Sequence, residues 1–278
     1  MKLYSVETGL FKLDGGAMFG VVPKSIWQNT NPADENNLCT LAMRSLLIED
    51  GNKLILVDTG IGNKQSEKSL SYYHLHGNYS VDKSLAAHGF CRDDITDILL
   101  THLHLDHVGG AIEREGEQLK PAFKNATYWS NEQHLNWAIH PNERERASFL
   151  PENIIPIKES GQLKFIPSDN SFLTANVQIR FTYGHTDAMM LPQINYKGQT
   201  ILYAADLIPT IGHIPIPYVA AYDVFPLKSM EEKKIILDEV YQEQFILFLE
   251  HDAIHECCTL IKTEKGIRLG NTFKLEEL

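Results

Sequence analysis

Residues 101–110 read Thr-His-Leu-His-Leu-Asp-His-Val-Gly-Gly, which places His102, His104, Asp106 and His107 within six positions. Imidazoles and a carboxylate are the donor set of first-row divalent metals, with zinc the leading candidate. The run before them, Asp97-Ile-Leu-Leu-Thr101, is a short apolar stretch of the buried-strand type. The donors therefore stand where a strand ends, and Val108-Gly109-Gly110 offers backbone freedom for a sharp turn. His102 and His104, two positions apart, project to one side of an extended segment. Asp106 and His107 are neighbours that must diverge, which suits them to a second metal better than to the same one.

Composition fits an enzyme. At 278 residues and 43% hydrophobic content, the chain has material for one large α/β domain or two smaller ones, and it reads as one domain over 1–278. A net charge of −11 argues against a general nucleic-acid binder. Lys228, Lys233 and Lys234 alternate with Glu231 and Glu232, the pattern of a solvated helix face. The N-terminus lacks the basic start and apolar stretch of a signal peptide, and no apolar run reaches membrane-spanning length. Cys39, Cys91, Cys257 and Cys258 form no CxxC pair, so the expected compartment is a reducing cytoplasm.

Two similar halves of strands with helices outside are expected. Residues 10–22 read as strand, Gly-Gly turn and strand. Residues 42–49 and 53–58 read as a hairpin around Asp50-Gly51-Asn52, ending in Asp58-Thr59-Gly60. Helical patterns occupy 80–90, 130–138 and 229–243, strands 176–183, 190–196, 199–205 and 244–250. The proline-punctuated stretch 140–175 reads as irregular, and 254–275 as a helix followed by a short strand pair. Three further donors sit at the tips of apolar runs: His185 after 177–183, Asp206 after Thr200-Ile-Leu-Tyr-Ala-Ala, and His251 after Phe245-Ile-Leu-Phe-Leu-Glu.

With these in place the chain resembles the metallo-β-lactamase-fold hydrolases, whose hallmark is HxHxDH followed by a distal His, an Asp and a last His. His102, His104, Asp106, His107, His185, Asp206 and His251 match each element in order, over about residues 10–252. The resemblance implies an α/β (α+β) fold, a four-layer αββα sandwich. It implies two divalent metal ions, zinc first and manganese, iron or cobalt also accepted. His102, His104 and His185 would hold one, Asp106, His107 and His251 the other, and Asp206 would bridge them. A hydroxide activated by the pair would attack a carbonyl or phosphoryl centre, with Asp106 passing a proton to the leaving group. Asp58 resembles the family's strand-end Asp, which hydrogen-bonds a metal-bound His.

The gap of 78 residues between His107 and His185 (185 − 107) exceeds what glyoxalase II or a compact lactonase is expected to show. It resembles the lactonase-like branch that includes methyl parathion hydrolase, as does the opening Asp14–Lys24. Homoserine lactonases of this fold often carry a Tyr three residues after the bridging Asp. Here that position is Pro209, leaving Tyr218 or Tyr222 to substitute. The apolar loop after Asp206 is expected to line a pocket, with Met18, Phe19 and Trp27 opposite; His213 is either a substrate contact or a solvated loop residue. The leading expectation is a dizinc hydrolase of a small, fairly apolar lactone, ester or phosphotriester. Its partner is a small molecule, without nucleic acid or membrane. The alternatives are a mononuclear-iron persulfide dioxygenase or a glyoxalase II-like thioester hydrolase of the same fold. The apolar segments 10–22 and 207–220 leave a homodimer surface open as the alternative to a pocket wall.

Overall fold

The computed structural model describes residues 1–278. Strands β1 (Lys2–Asp14), β2 (Leu38–Asp50) and β3 (Lys53–Val57) form an antiparallel set. Side chains alternate faces along a strand. Leu46, Ile48, Ile55 and Val57 accordingly enter one buried cluster, and Leu47, Leu54 and Leu56 enter another. Strands that are apolar on both faces must be covered on both, which sets up layers. Parallel strand β4 (Asp97–Leu99) joins β3. The chain then makes a separate ribbon from β5 (Ile112–Glu115) and β6 (Gln118–Pro121). Parallel β7 (Thr127–Ser130) and β8 (Leu163–Phe165) complete a sheet of order β1-β2-β3-β4-β7-β8.

The second sheet is built from β9 (Ser171–Thr174), β10 (Val177–Thr182), β11 (Met189–Tyr196), β12 (Gln199–Tyr203), β13 (Ile246–Phe248), β14 (Cys257–Thr263) and β15 (Gly266–Phe273), with neighbours in that order. Only β12 and β13 run parallel. Its inner face meets Leu46, Ile48, Ile55, Val57 and Leu99 of the first sheet in one core. Helices Val81–Ala87, Glu132–Ile139 and Pro151–Glu159 pack on the outer face of the first sheet, and helix Pro226–Gln242 on that of the second. The result is an αββα sandwich. No helix is long and apolar enough to cross a membrane.

Four local expectations are corrected. After β1 the chain does not turn into a second strand: Asp14 Oδ1 accepts the Ala17 N–H at 2.9 Å and starts a short helix, Gly15–Phe19. Side-chain capping of free N–H groups outweighs the β pattern there. The stretch 254–275 holds no helix; β14 and β15 form a hairpin, closed by Gly266 at φ +91°, that buries Cys258 and Leu260. The segment 140–175 contains a helix that begins at Pro151, a residue suited to a first helical turn because its missing N–H would have no partner there. Finally, Lys233 and Glu232 do not lie on a solvated face. Lys233 is 1% exposed, and its ammonium donates to the carbonyls of Pro215 (3.1 Å) and Tyr218 (2.8 Å), tying down the loop after Asp206.

Candidate metal centre

The parallel pairs β3–β4 and β12–β13 point their C-terminal ends to one edge of the sandwich, so the segments that leave them converge. Asp58 follows β3, and Thr101 to His107 follow β4. Asp206 follows β12, and Glu250 and His251 follow β13. His185 arrives from β10 of the second sheet. All seven donors named from the sequence meet there. They fall into two sets: His102, His104, His185 and Asp206, and Asp106, His107 and His251. Asp206 reaches both. Its Oδ2 lies 3.1 Å from His185 Nε2, and its Oδ1 lies 2.9 Å from His251 Nε2. His107 Nε2 is 3.5 Å from Asp206 Oδ2 and 3.9 Å from Asp106 Oδ1.

The opposite ring nitrogen of each histidine is engaged, which fixes the tautomer and leaves the inward nitrogen as a lone pair. His251 Nδ1 donates to the Ala42 carbonyl at 2.7 Å. His185 Nδ1 donates to Asp223 Oδ1 at 2.9 Å. His104 Nε2 donates to Glu145 Oε1 at 3.4 Å. His102 Nδ1 donates to Thr101 Oγ1 at 3.0 Å, because that hydroxyl gives its own proton to Asp58 Oδ2 at 2.6 Å. Asp58 also accepts the Thr101 N–H at 2.8 Å and faces His107 Nδ1 at 3.1 Å. It does so from the left-handed region, φ +57°, a conformation Asp tolerates better than most residues.

The donor set fits cations. His102 Nε2 is buried without a hydrogen-bond partner. His104 Nδ1 faces His185 Nε2 at 3.1 Å, and His107 Nε2 faces His251 Nε2 at 3.2 Å. Paired lone-pair nitrogens at such distances repel unless positive charge lies between them. Burial opposes a charge on His185, but Asp206 and Asp223 outweigh it and push the ring up to about 10. Burial likewise opposes a charge on His251, yet Asp206 raises it to about 9. Asp206 would be destabilised by burial, and the surrounding imidazoles, His251 first, hold its carboxyl well below the usual range.

Several residues that hold the site were not singled out in the sequence. Glu145 and Asp223 orient His104 and His185. Glu232 accepts the N–H groups of Tyr183 (2.9 Å) and Gly184 (3.0 Å), fixing the turn that delivers His185. His134 Nε2 accepts the Leu103 N–H at 2.8 Å between the first two histidines. Arg44 is buried and donates to the carbonyls of Leu249 (2.9 Å) and Asp252 (2.8 Å) on either side of His251. Glu250 precedes His251 in the sequence, and only that adjacency hinted at it.

The donors open into a cavity of about 330 Å³ whose walls include Phe11, Leu13, Met18, Leu41, Leu105 and Pro209, with Tyr73 and Tyr222 among the polar groups. Of the pocket residues expected from sequence, Met18 and Tyr222 line it; Phe19, Trp27, His213 and Tyr218 do not. Phe19 stacks between Trp27 (5.2 Å) and His213 (4.4 Å), a buried aromatic pile behind the wall. His213 is 1% exposed and bonds the Met18 carbonyl at 2.8 Å, so it is neither solvated nor in reach of a substrate. Tyr218 is used through its backbone carbonyl. His74 and His76 are exposed and stand apart from the donors.

A model of the metallo-beta-lactamase superfamily matches residues 44–251, and the chain belongs to that superfamily. A probable metal-dependent hydrolase from Staphylococcus aureus superposes with a TM-score of 0.89 at 27% identity, covering 98% of this chain and 96% of that one. AidC, a dizinc quorum-quenching lactonase solved with a product, is 21% identical over 98% of this chain and 95% of that one, TM-score 0.80. The hydrolase AbOPH is 20% identical over 98% and 94%, TM-score 0.78. The last two speak for the fold. No curated protein matches significantly.

Proposed function

We propose that this protein is a metal-dependent hydrolase holding two divalent cations, zinc the first choice, and acting on a small, fairly apolar lactone, ester or phosphotriester. The observation that carries this is Asp206, whose two oxygens divide between two complete donor sets at the floor of an apolar-walled cavity. His102 Nε2, His104 Nδ1, His185 Nε2 and Asp206 would hold one cation, and Asp106, His107, His251 and Asp206 the other. Such a pair supplies acidification of a water near neutral pH and polarisation of a carbonyl or phosphoryl oxygen.

The chain does the rest. Phe11, Leu13, Leu41 and Leu105 exclude water and take the apolar part of the substrate. Asp106, whose ring-nitrogen neighbours His107 and His251 both lie 3.9 Å away, is placed to carry a proton to the departing oxygen. Pro209 has no hydroxyl to offer a substrate carbonyl. Of the two tyrosines proposed to substitute, Tyr222 is the one in the cavity. AidC is a lactonase, and lactones are the first class to test.

The test is turnover of lactones, aryl esters and phosphotriesters by zinc-loaded protein, abolished by chelation and restored by metal. Lack of hydrolysis across all three classes by metal-replete protein defeats the proposal. A finer expectation concerns Asp58→Asn. Asn is at home at φ +57°, so the change removes charge while keeping the backbone. Zinc affinity should fall about 10- to 100-fold, as for other partners of metal-bound histidines. Unaltered affinity in a competition titration would make Asp58 a turn residue only.

A further inference from the structure

Arg144 is the one lysine or arginine among the residues lining the cavity. Arg44, Arg92 and Arg180 each pair with a carboxylate at 2.6 to 2.7 Å, whereas Arg144, like Arg114, Arg146 and Arg268, has no carboxylate partner, and of these four it is the one on the cavity wall. The one hydrogen bond of its guanidinium runs from Nη2 to the Ala221 carbonyl, so most of its five donors are unused by the protein. Of the carboxylates nearest in sequence to either end of this contact, Glu143 makes no ion pair with the guanidinium, and Glu145 and Asp223 are committed elsewhere. Glu145 Oε1 faces His104, and its Oε2 accepts from Trp137 Nε1 and Asn142 Nδ2, both at 2.7 Å. Asp223 serves His185 and Ser229. The guanidinium thus spans the two turns that orient the ligands of the first donor set, and no carboxylate forms an ion pair with it there.

We infer that the cavity takes a substrate bearing a carboxylate, an anionic ester, lactone or thioester whose acid group docks on Arg144 while its reacting carbonyl meets the donor sets. The apolar wall of Phe11, Leu13 and Leu41 accommodates the carbon chain between the two ends. A guanidinium offers a carboxylate two parallel N–H donors, a recognition that neither an amide nor a neutral ester reproduces. This substrate class rests on the hydrolase reading. The competing role for Arg144 is mechanical, a strap from the turn at 142–148 to the loop at 220–222.

Two paired comparisons on zinc-loaded protein separate these roles. The first is the ratio of kcat/KM for mono-(4-nitrophenyl) glutarate over 4-nitrophenyl butanoate. The second is the relative affinity, by calorimetry, of 4-phenylbutanoate over 4-phenylbutanamide. In Arg144→Gln, both ratios should fall about 10- to 100-fold, the worth of a charge-assisted hydrogen bond, with the kinetic loss appearing in KM. A carboxylate held by the metals alone would be indifferent to the substitution. Unchanged ratios overturn the inference, and a lowered thermal midpoint with equal losses on both esters identifies the strap. If neither ester nor any lactone is hydrolysed, it is the hydrolase reading that fails. The calorimetric ratio then still decides whether Arg144 receives an anion.

Discussion

Asp206→Ala should strip the protein of metal. Wild-type protein purified without added metal is expected to carry about two divalent cations per chain by elemental analysis. The variant should hold less than about one, and hydrolysis should fall by roughly 10³-fold or more, about 4 kcal/mol of transition-state stabilisation. The reason is geometric. Asp206 is the carboxylate within reach of both histidine pairs, at 3.1 Å from His185 Nε2 and 2.9 Å from His251 Nε2. Without it the first set keeps three neutral imidazoles and no charge, and the second keeps only Asp106. Circular dichroism of the variant checks that the fold survives. Two metals retained in the variant would remove Asp206 from the centre. One iron per wild-type chain would redirect the search to oxygen-dependent chemistry at a mononuclear site.

Gly109→Ala should unfold or cripple the protein, although helix propensity taken alone would favour alanine. Gly109 has helical φ −56° and ψ −43°, so no unusual backbone angle demands glycine. The demand is spatial. A Cβ at 109 would lie 2.0 Å from the Ile61 carbonyl oxygen, and one at Gly110 would lie 2.2 Å from that of Thr59. The turn carrying His107 is pressed backbone to backbone against the loop that follows Asp58, and neither side has a flexible side chain that can yield. The cost should be about 4 kcal/mol or more, in the range reserved for severe backbone or core disruption. Thermal melts should show a drop on the order of 10 °C. Gly116→Ala is the control: φ is +61° in open space, and strain alone should cost about 1 to 2 kcal/mol. Equal losses for the two variants would contradict the close-approach argument.

That glycine also shows where reading the sequence stopped short. Val108-Gly109-Gly110 reads as a turn after the donors that needs backbone freedom, but neither glycine takes a left-handed angle, and both serve close contact instead. The strands that build the site were legible because each is a short apolar run ended by a polar donor, as at Leu99, Tyr203 and Phe248. The capped helix Gly15–Phe19 was hidden by a β-like composition, and the hairpin β14–β15 by a segment without clear period. Glu232 and Lys233 looked like charges in water because charge alternation cannot report that a loop and a turn will fold over them.

The sequence by itself determined the seven metal-competent donors, their order and their placement at strand ends, because ligand chemistry and the strand period are both local properties. The family resemblance implied the division into two sets with Asp206 between them and Asp58 behind a histidine; only the tertiary structure brought the donors to these distances and set Glu145 and Asp223 against the rings. It also decided which aromatic residues wall the cavity and which merely stack behind it. Among the donors alone those are distances between residues as many as 149 positions apart, as from His102 to His251 (251 − 102). They exist only once parallel strands from two sheets have brought their ends to one edge.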